Sequence, residues 1–395
     1  MLYNYLVDVY YLDSSVIFFL SELANFAFCS IILCLLFYFK KLERRELVLW
    51  FLGFSSIIIL TPFVQFLFPD AQGYLHCVRD LKDNLSFDHI SCEGSISSGG
   101  ETFQFINFKR QAPAIYYSII PIPSIATIVS LGFINKLYLL LMYFFIRRRL
   151  DHEDTKYYLL ILLFLPTLLL YSSTGLRDTF ILIIQSLLLF FIIERRFTLS
   201  TLSLILLASI KTQNAAVLLV LYAGIFLFRS DKGFSYLLAF LIAFIVVLFL
   251  FQQPILDVIH YFRIGFLNET GLLPLSGIVS EYKTMISIII DSPILFLKGI
   301  FSPGLDLSIL SLIFLPESIL FILLFIIGSW YSDYFSKSTN WLVFIVFYVG
   351  IVLNSVVVEN DATFLRYRFT FIYLLMFHLL LSIDKKKCGF KKQIS

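Results

Sequence analysis

Long runs of apolar residues, each close to the length of a membrane-spanning helix, alternate along this chain with short polar breaks. A helix needs about 20 largely apolar residues to cross the hydrocarbon core of a bilayer. The pattern therefore predicts an all-α, polytopic integral membrane protein that forms a single membrane domain over residues 1–395. Runs of this kind predict about eleven spans, within a range of about 10–12, near residues 15–39, 47–68, 122–146, 157–173, 177–193, 198–211, 214–228, 234–252, 305–329, 341–358 and 368–383.

The composition agrees with a chain that uses lipid as its solvent. Of the 395 residues, 59% are hydrophobic and 14% are charged, whereas soluble domains are about half apolar and about a quarter charged. The lipid bilayer is therefore an expected partner. The net charge of +3 is too small to indicate binding to nucleic acid.

Basic residues predict the orientation of the spans. Clusters at residues 147–149, 195–196 and 385–387 lie in short loops or in the tail on one side of the predicted topology. Cytoplasmic loops carry an excess of lysine and arginine. We therefore expect the C-terminus in the cytoplasm and the N-terminus on the outer, periplasmic side.

Two large loops are predicted on the outer side, at residues 69–121 and 253–304. Residues 97–100, Ser-Ser-Gly-Gly, predict a flexible break within the first loop. Residues 284–301 of the second loop are apolar enough for an interfacial or re-entrant helix.

The first outer loop contains two cysteines, Cys77 and Cys92. In an oxidising compartment these two residues could form one disulfide. Two free thiols are the alternative. The sequence has no cysteine or histidine spacing that indicates a metal site, and no cofactor is expected.

Leu176-Arg177-Asp178 places an arginine between two apolar segments on the side where basic residues are scarce. An arginine at membrane depth is costly and usually has a function. A second polar break, Lys211-Thr212-Gln213-Asn214, divides residues 198–228, which at about 31 residues are too short for two full spans. We predict two short helices that meet at a polar tip, recessed below the outer surface and lining a wet cavity.

Several basic residues are predicted on the outer side near membrane depth. Arginine offers a planar set of donors that binds phosphate bidentately and stays charged. A lipid-linked diphosphate would suit such a set. The alternative is snorkelling of long side chains toward lipid headgroups. The candidate diphosphate-binding residues are Arg177, Lys211, Arg263, Arg366 and Arg368.

Two residues are candidates for a catalytic base. Asp178 could accept a proton, or it could serve only as a favourable acid at a helix N-terminus. His260 lies three residues before Arg263 and would share its face on a helix. Beside a cation it would be neutral and could take a proton from a sugar hydroxyl, although a solvated loop histidine is the simpler interpretation.

The segment Tyr171-Ser-Ser-Thr-Gly-Leu-Arg-Asp-Thr-Phe180, followed by an apolar span, Glu194-Arg195-Arg196 and the broken 198–228 stretch, resembles O-antigen polymerases of the Wzy type. It is also similar to related exopolysaccharide polymerases. The resemblance covers residues 171–228 in detail, together with the span number and the large outer loops.

The resemblance implies a glycosyltransferase that joins oligosaccharide units carried on undecaprenyl diphosphate at the periplasmic face of a bacterial inner membrane, in lipopolysaccharide biosynthesis. It also implies a chain-length regulator protein as a partner. Two alternatives remain open. One is a flippase for the same lipid-linked units, and the other is a membrane glycosyltransferase that uses a polyprenyl-phosphate sugar.

Overall fold

The computed structural model describes residues 14–64, 70–85, 93–98, 101–106, 108–227, 242, 246, 249–270, 282, 284–301, 309–358 and 361–394. Within these ranges the chain is predominantly α-helical. The helices are α1 (Ser14–Tyr38), α2 (Arg44–Val64), α3 (Asp70–Asn84), α4 (Phe108–Ile119), α5 (Ile128–Arg147), α6 (Glu153–Leu163), α7 (Pro166–Ser173), α8 (Asp178–Ile193), α9 (Phe197–Ile210), α10 (Thr212–Leu227), α11 (Gln252–Thr270), α12 (Met285–Phe301), α13 (Ile309–Ser332), α14 (Ser338–Val357) and α15 (Asp361–Ile394).

Five helical segments of the described chain are long and apolar enough to cross a membrane. They are Phe18–Tyr38, Ile128–Arg147, Phe314–Ser332, Thr339–Val357 and Leu365–Lys387. The pair α6–α7, bent by 57°, is a sixth if it forms one broken span. The helical membrane class is therefore confirmed, whereas the predicted count of about eleven spans is not. The predicted span at 234–252 lies largely outside the described residues.

The loop predicted at residues 69–121 contains regular structure that the sequence did not suggest. Strands β1 (Glu93–Ser98) and β2 (Glu101–Ile106) pair antiparallel, with Ser98 opposite Glu101. Helices α3 and α4 flank this hairpin in the sequence and pack against each other. The flexible break predicted at residues 97–100 thus includes the end of a strand, because Ser97 and Ser98 are paired with Thr102 and Glu101.

The chain forms two compact units, and the single membrane domain over residues 1–395 stays a prediction. Unit 1 comprises residues 1–184 and 206–212, and unit 2 comprises residues 185–205 and 213–395.

Polar residues that interrupt the spans of unit 1 bind other elements of that unit. Asn25 of α1 donates from Nδ2 to the carbonyl of Ser124 at 2.8 Å and accepts from the Ser124 N–H at 3.0 Å. At the other end of α5, buried Glu46 accepts a hydrogen bond from the Tyr143 hydroxyl and pairs with Arg147 at 3.1 Å. These contacts fix both ends of α5 against α1 and α2.

Unit 2 has a similar arrangement around α15. The Tyr334 hydroxyl lies 2.6 Å from His378 Nδ1, and both side chains are buried. The Tyr373 hydroxyl donates to Glu317 at 3.2 Å, which joins α15 to α13. Helix α15 also packs against α14. Because each of these buried polar groups has a partner inside the unit, they stabilise helix packing.

Candidate functional site

The turn that carries Arg177 is fixed by α4 and α5. Gly175 adopts a left-handed conformation with φ of 67°. A side chain there would clash with Leu131 of α5, so both conformation and space require glycine. The Tyr117 hydroxyl donates to the Gly175 carbonyl at 2.8 Å, and Asn135 Nδ2 donates to the Leu176 carbonyl at 3.2 Å. Two side chains thus hold the backbone immediately before Arg177.

The Arg177 guanidinium lies beside α3. Its Cζ is 5.9 Å from the centroid of the Tyr74 ring, within the range of a cation–π contact. Tyr74 is itself buried, whereas Arg177 is partly exposed. The arginine therefore rests on a fixed aromatic surface while part of its side chain remains accessible.

Asp178 is the first residue of α8 and is almost completely buried, with 1% of its surface exposed. An acid in the first helical turn is stabilised by the helix dipole. The position and burial of Asp178 favour this structural role over contact with a substrate. Its assignment as a base stays a prediction.

Helix α8 is too short to cross a bilayer at right angles. Its 16 residues extend about 24 Å at about 1.5 Å per residue, whereas the hydrocarbon core is about 30 Å thick. If the charged residues 194–196 remain at one surface, the opposite end of α8 lies about 6 Å inside the hydrocarbon core. Arg177 precedes that end and would therefore lie at membrane depth.

The predicted polar-tipped hairpin is present as α9 and α10. The hydroxyls of Thr201 and Tyr222 are 3.1 Å apart, and the rings of Phe197 and Tyr222 are 6.3 Å apart. Residues so distant in sequence can meet only if the chain reverses between them, and Lys211 is the non-helical residue at that point. Lys211 is buried, with 6% of its surface exposed. At 14 and 16 residues, these helices are also shorter than a span.

In unit 2, His260 and Arg263 lie on α11, so the helical spacing assumed for them is present. Arg263 is buried and its Cζ lies 5.4 Å from the centroid of the Tyr282 ring. The Nε2 atom of His260 is buried and has no hydrogen-bond partner among the described residues. This pair stays a candidate for substrate contact.

Arg368 has a role that the sequence did not predict. Its Nη1 donates to the carbonyl oxygens of Gly299, at 2.9 Å, and Ile300, and its Nη2 donates to Ser318 Oγ at 3.1 Å. The two carbonyls belong to the last turn of α12, whose C-terminal carbonyls lack helical partners. Arg368 thus caps α12 and binds α13, which disfavours its predicted use as a diphosphate ligand.

Arg366 lies on the same helix as Arg368, and its Cζ is 5.8 Å from the Tyr367 ring centroid. Like Arg263 it is buried, with 7% of its surface exposed. The predicted site residues divide between the units: Arg177, Asp178 and Lys211 belong to unit 1, and the others belong to unit 2.

Cys77 of α3 is fully buried and disulfide-bonded. Its predicted partner, Cys92, lies outside the described residues, so the pairing stays a prediction. Cys77 lies three residues after Tyr74 and therefore on the same face of α3. Within the described chain, no group of three or more histidine, cysteine or acidic residues could hold a metal ion.

Sequence reasoning did not identify the residues that position Arg177. Tyr74 and Tyr117 belong to a loop region in which no helix had been predicted, and Asn135 lies beside Lys136 within an otherwise apolar run. Asn135 carried the only usable signal, because a polar residue inside a span usually binds a neighbouring element.

Comparison with known proteins identified no relative. No family model, no curated protein and no solved structure matches this chain.

Proposed function

We propose that this protein joins oligosaccharide repeat units carried on undecaprenyl diphosphate at the periplasmic face of the bacterial inner membrane. The observation that carries the proposal is Arg177, a partly exposed cation on a rigid turn before a helix too short to span the bilayer. An arginine at membrane depth usually marks a functional site, and part of this side chain is accessible. The diphosphate of a lipid-linked sugar is an anion located at the membrane surface.

In the proposed reaction, a hydroxyl at the non-reducing end of one unit attacks the anomeric carbon of the growing chain. The bond from that carbon to the diphosphate breaks, and undecaprenyl diphosphate leaves with the bonding electrons. The hydroxyl proton passes to a base, for which Asp178 and His260 are the proposed candidates. Arg177 stabilises the negative charge that develops on the leaving diphosphate.

The other cations have unequal claims to a role in this reaction. Lys211 at the tip of a short hairpin and Arg263 on α11 are proposed to contact the diphosphate or the sugar chain, but both are more buried than Arg177. Arg366 is proposed for the same task. Arg368 is better explained by its bonds to α12.

One feature besides the distribution of basic residues supports a periplasmic location for the turn that carries Arg177. Arg177 lies over Tyr74, and Tyr74 shares a face of α3 with the disulfide-bonded Cys77. Disulfides persist in oxidising compartments, including the bacterial periplasm. The disulfide therefore supports a periplasmic position for this end of unit 1.

Replacing Arg177 with alanine tests the proposal in the native host. We expect lipopolysaccharide with single-unit caps instead of a ladder, because the variant loses the donors that stabilise the leaving diphosphate. Electrophoresis of lipopolysaccharide, with an immunoblot for protein level, gives the readout. Arg177→Lys keeps the charge but loses the planar set of donors. We therefore expect ladders of a length between those of the wild type and Arg177→Ala.

Arg195→Ala is the matched control, because Arg195 follows the opposite end of the same helix. This variant should keep a normal ladder. Bare core without any cap in Arg177→Ala would indicate a flippase instead. A normal ladder in Arg177→Ala would exclude Arg177 from the mechanism.

A further inference from the structure

A groove of about 890 Å³ runs along the C-terminal half of α1 in unit 1. Its wall is mainly apolar and includes Ile31, Leu35 and Tyr38, while Lys40 and Glu43 lie at its end. This volume is within the range of ligand sites, about 300–1,000 Å³. The groove is thus large enough for a chain-like apolar ligand that has a polar group at one end.

Lys40 occupies a backbone position that normally favours glycine. Its N–H donates to the Phe37 carbonyl at 2.9 Å, the Lys41 N–H donates to the Leu36 carbonyl at 2.8 Å, and φ of Lys40 is 53°. These bonds form a Schellman motif, in which the left-handed residue is usually glycine. An L side chain there costs conformational energy. A lysine in this position therefore invites a functional explanation.

The charge at the end of the groove comes from Lys40. The Glu43 carboxylate accepts a hydrogen bond from the Tyr157 hydroxyl at 2.9 Å and pairs with Arg147 at 3.4 Å. Its negative charge is therefore compensated within unit 1. Lys40 is exposed, and among the described residues no ion pair involves it.

A purely structural explanation exists, because a cation at a helix C-terminus interacts favourably with the helix dipole. Arg195 shows the same arrangement after α8. Its φ is 58°, its N–H donates to the Ile192 carbonyl at 3.0 Å, and the Arg196 N–H donates to the Phe191 carbonyl at 2.8 Å. Arg195 is not part of the groove. It therefore provides a control with the same backbone and the same charge.

We propose that the groove binds an anionic phospholipid, with an acyl chain along α1 and the phosphate at Lys40. The apolar wall alone would accept the tail of any lipid. The cation at its end selects an anionic headgroup, because a lysine near a membrane surface attracts negatively charged lipid. The groove would thus bind one class of lipid selectively, in contrast to the non-specific lipids that surround any membrane helix.

The test uses Cys34, an exposed free thiol in the groove wall. The full chain in detergent micelles is treated with N-ethylmaleimide, and modification of Cys34 is followed by peptide mass spectrometry. Phosphatidylglycerol should slow the modification about fivefold more than phosphatidylcholine, the preference that one lysine near an anionic surface gives. Inorganic phosphate alone should have no effect.

Lys40→Gly should lose this preference while its thermal midpoint is unchanged or higher, because glycine relieves the left-handed backbone. Lys40→Gln gives the same lipid result without the backbone change, and Arg195→Gly should keep the preference. Equal protection by both lipids would overturn the proposal, as would a preference that persists in both Lys40 variants. Protection by inorganic phosphate alone would also overturn it, since the site would then bind free phosphate.

Discussion

Replacing Gly132 with alanine is expected to lower the free energy of unfolding by about 1–3 kcal/mol. A Cβ at this position of α5 would overlap the carbonyl oxygen of Ser173 and approach Ile57 Cγ2 to 3.0 Å. The backbone oxygen cannot move away without shifting the end of α7. Because Gly175 and Arg177 follow directly, the same substitution should also disturb the turn that carries Arg177. Thermal unfolding of the purified protein measures the loss of stability.

Gly53→Ala is the control for this prediction, since it makes the same change in the same unit. A Cβ at Gly53 would meet the edge of the Phe164 ring, which can rotate away, so a smaller loss is expected. Wild-type stability in Gly132→Ala would mean that α5 does not approach α7 as closely as described. The rigidity assigned to the turn would then lose its basis.

Replacing Arg368 with alanine is expected to destabilise the protein by about 2–4 kcal/mol, because two carbonyls of α12 and the Ser318 hydroxyl would lose their donor in a buried setting. Arg368→Lys keeps the charge, but an ammonium group cannot donate to all three acceptors as the planar guanidinium does. A smaller loss of stability than in Arg368→Ala is therefore expected. The thermal midpoint of each variant is the measurement.

The two roles considered for Arg368 predict different results. If Arg368 is a capping residue, its removal lowers the thermal midpoint, and any loss of polymer length follows from a lower protein level. A diphosphate ligand would shorten the polymer without changing the thermal midpoint. An unchanged midpoint in Arg368→Ala would contradict the capping role.

Local sequence patterns were sufficient to predict the helical membrane class and one reversal of the chain, but not helices α3 and α4. The polar break at Lys211-Thr212-Gln213-Asn214 predicted two short helices with a tip between them, and the contact of Thr201 with Tyr222 confirms the reversal. Hydropathy succeeds here because each helix in lipid must form its backbone hydrogen bonds internally and must present apolar side chains to the lipid.

The number of spans and the role of individual arginines could not be predicted in the same way. The span predicted at 177–193 has nearly the bounds of α8, but an apolar run does not show whether so short a helix crosses the membrane. Arg177 and Arg368 both lie near helix ends in the sequence, yet Arg368 meets the end of α12 while Arg177 rests on Tyr74. These differences depend on contacts between residues that are far apart in the chain.

The most direct test of the proposed function is equilibrium binding of undecaprenyl diphosphate to the purified protein in detergent. Arg177→Ala should bind about tenfold or more weakly than wild type, as expected when a charge-assisted hydrogen bond is lost, while Arg195→Ala should bind like wild type. Equal affinity of Arg177→Ala and wild type would contradict the claim that Arg177 holds the diphosphate.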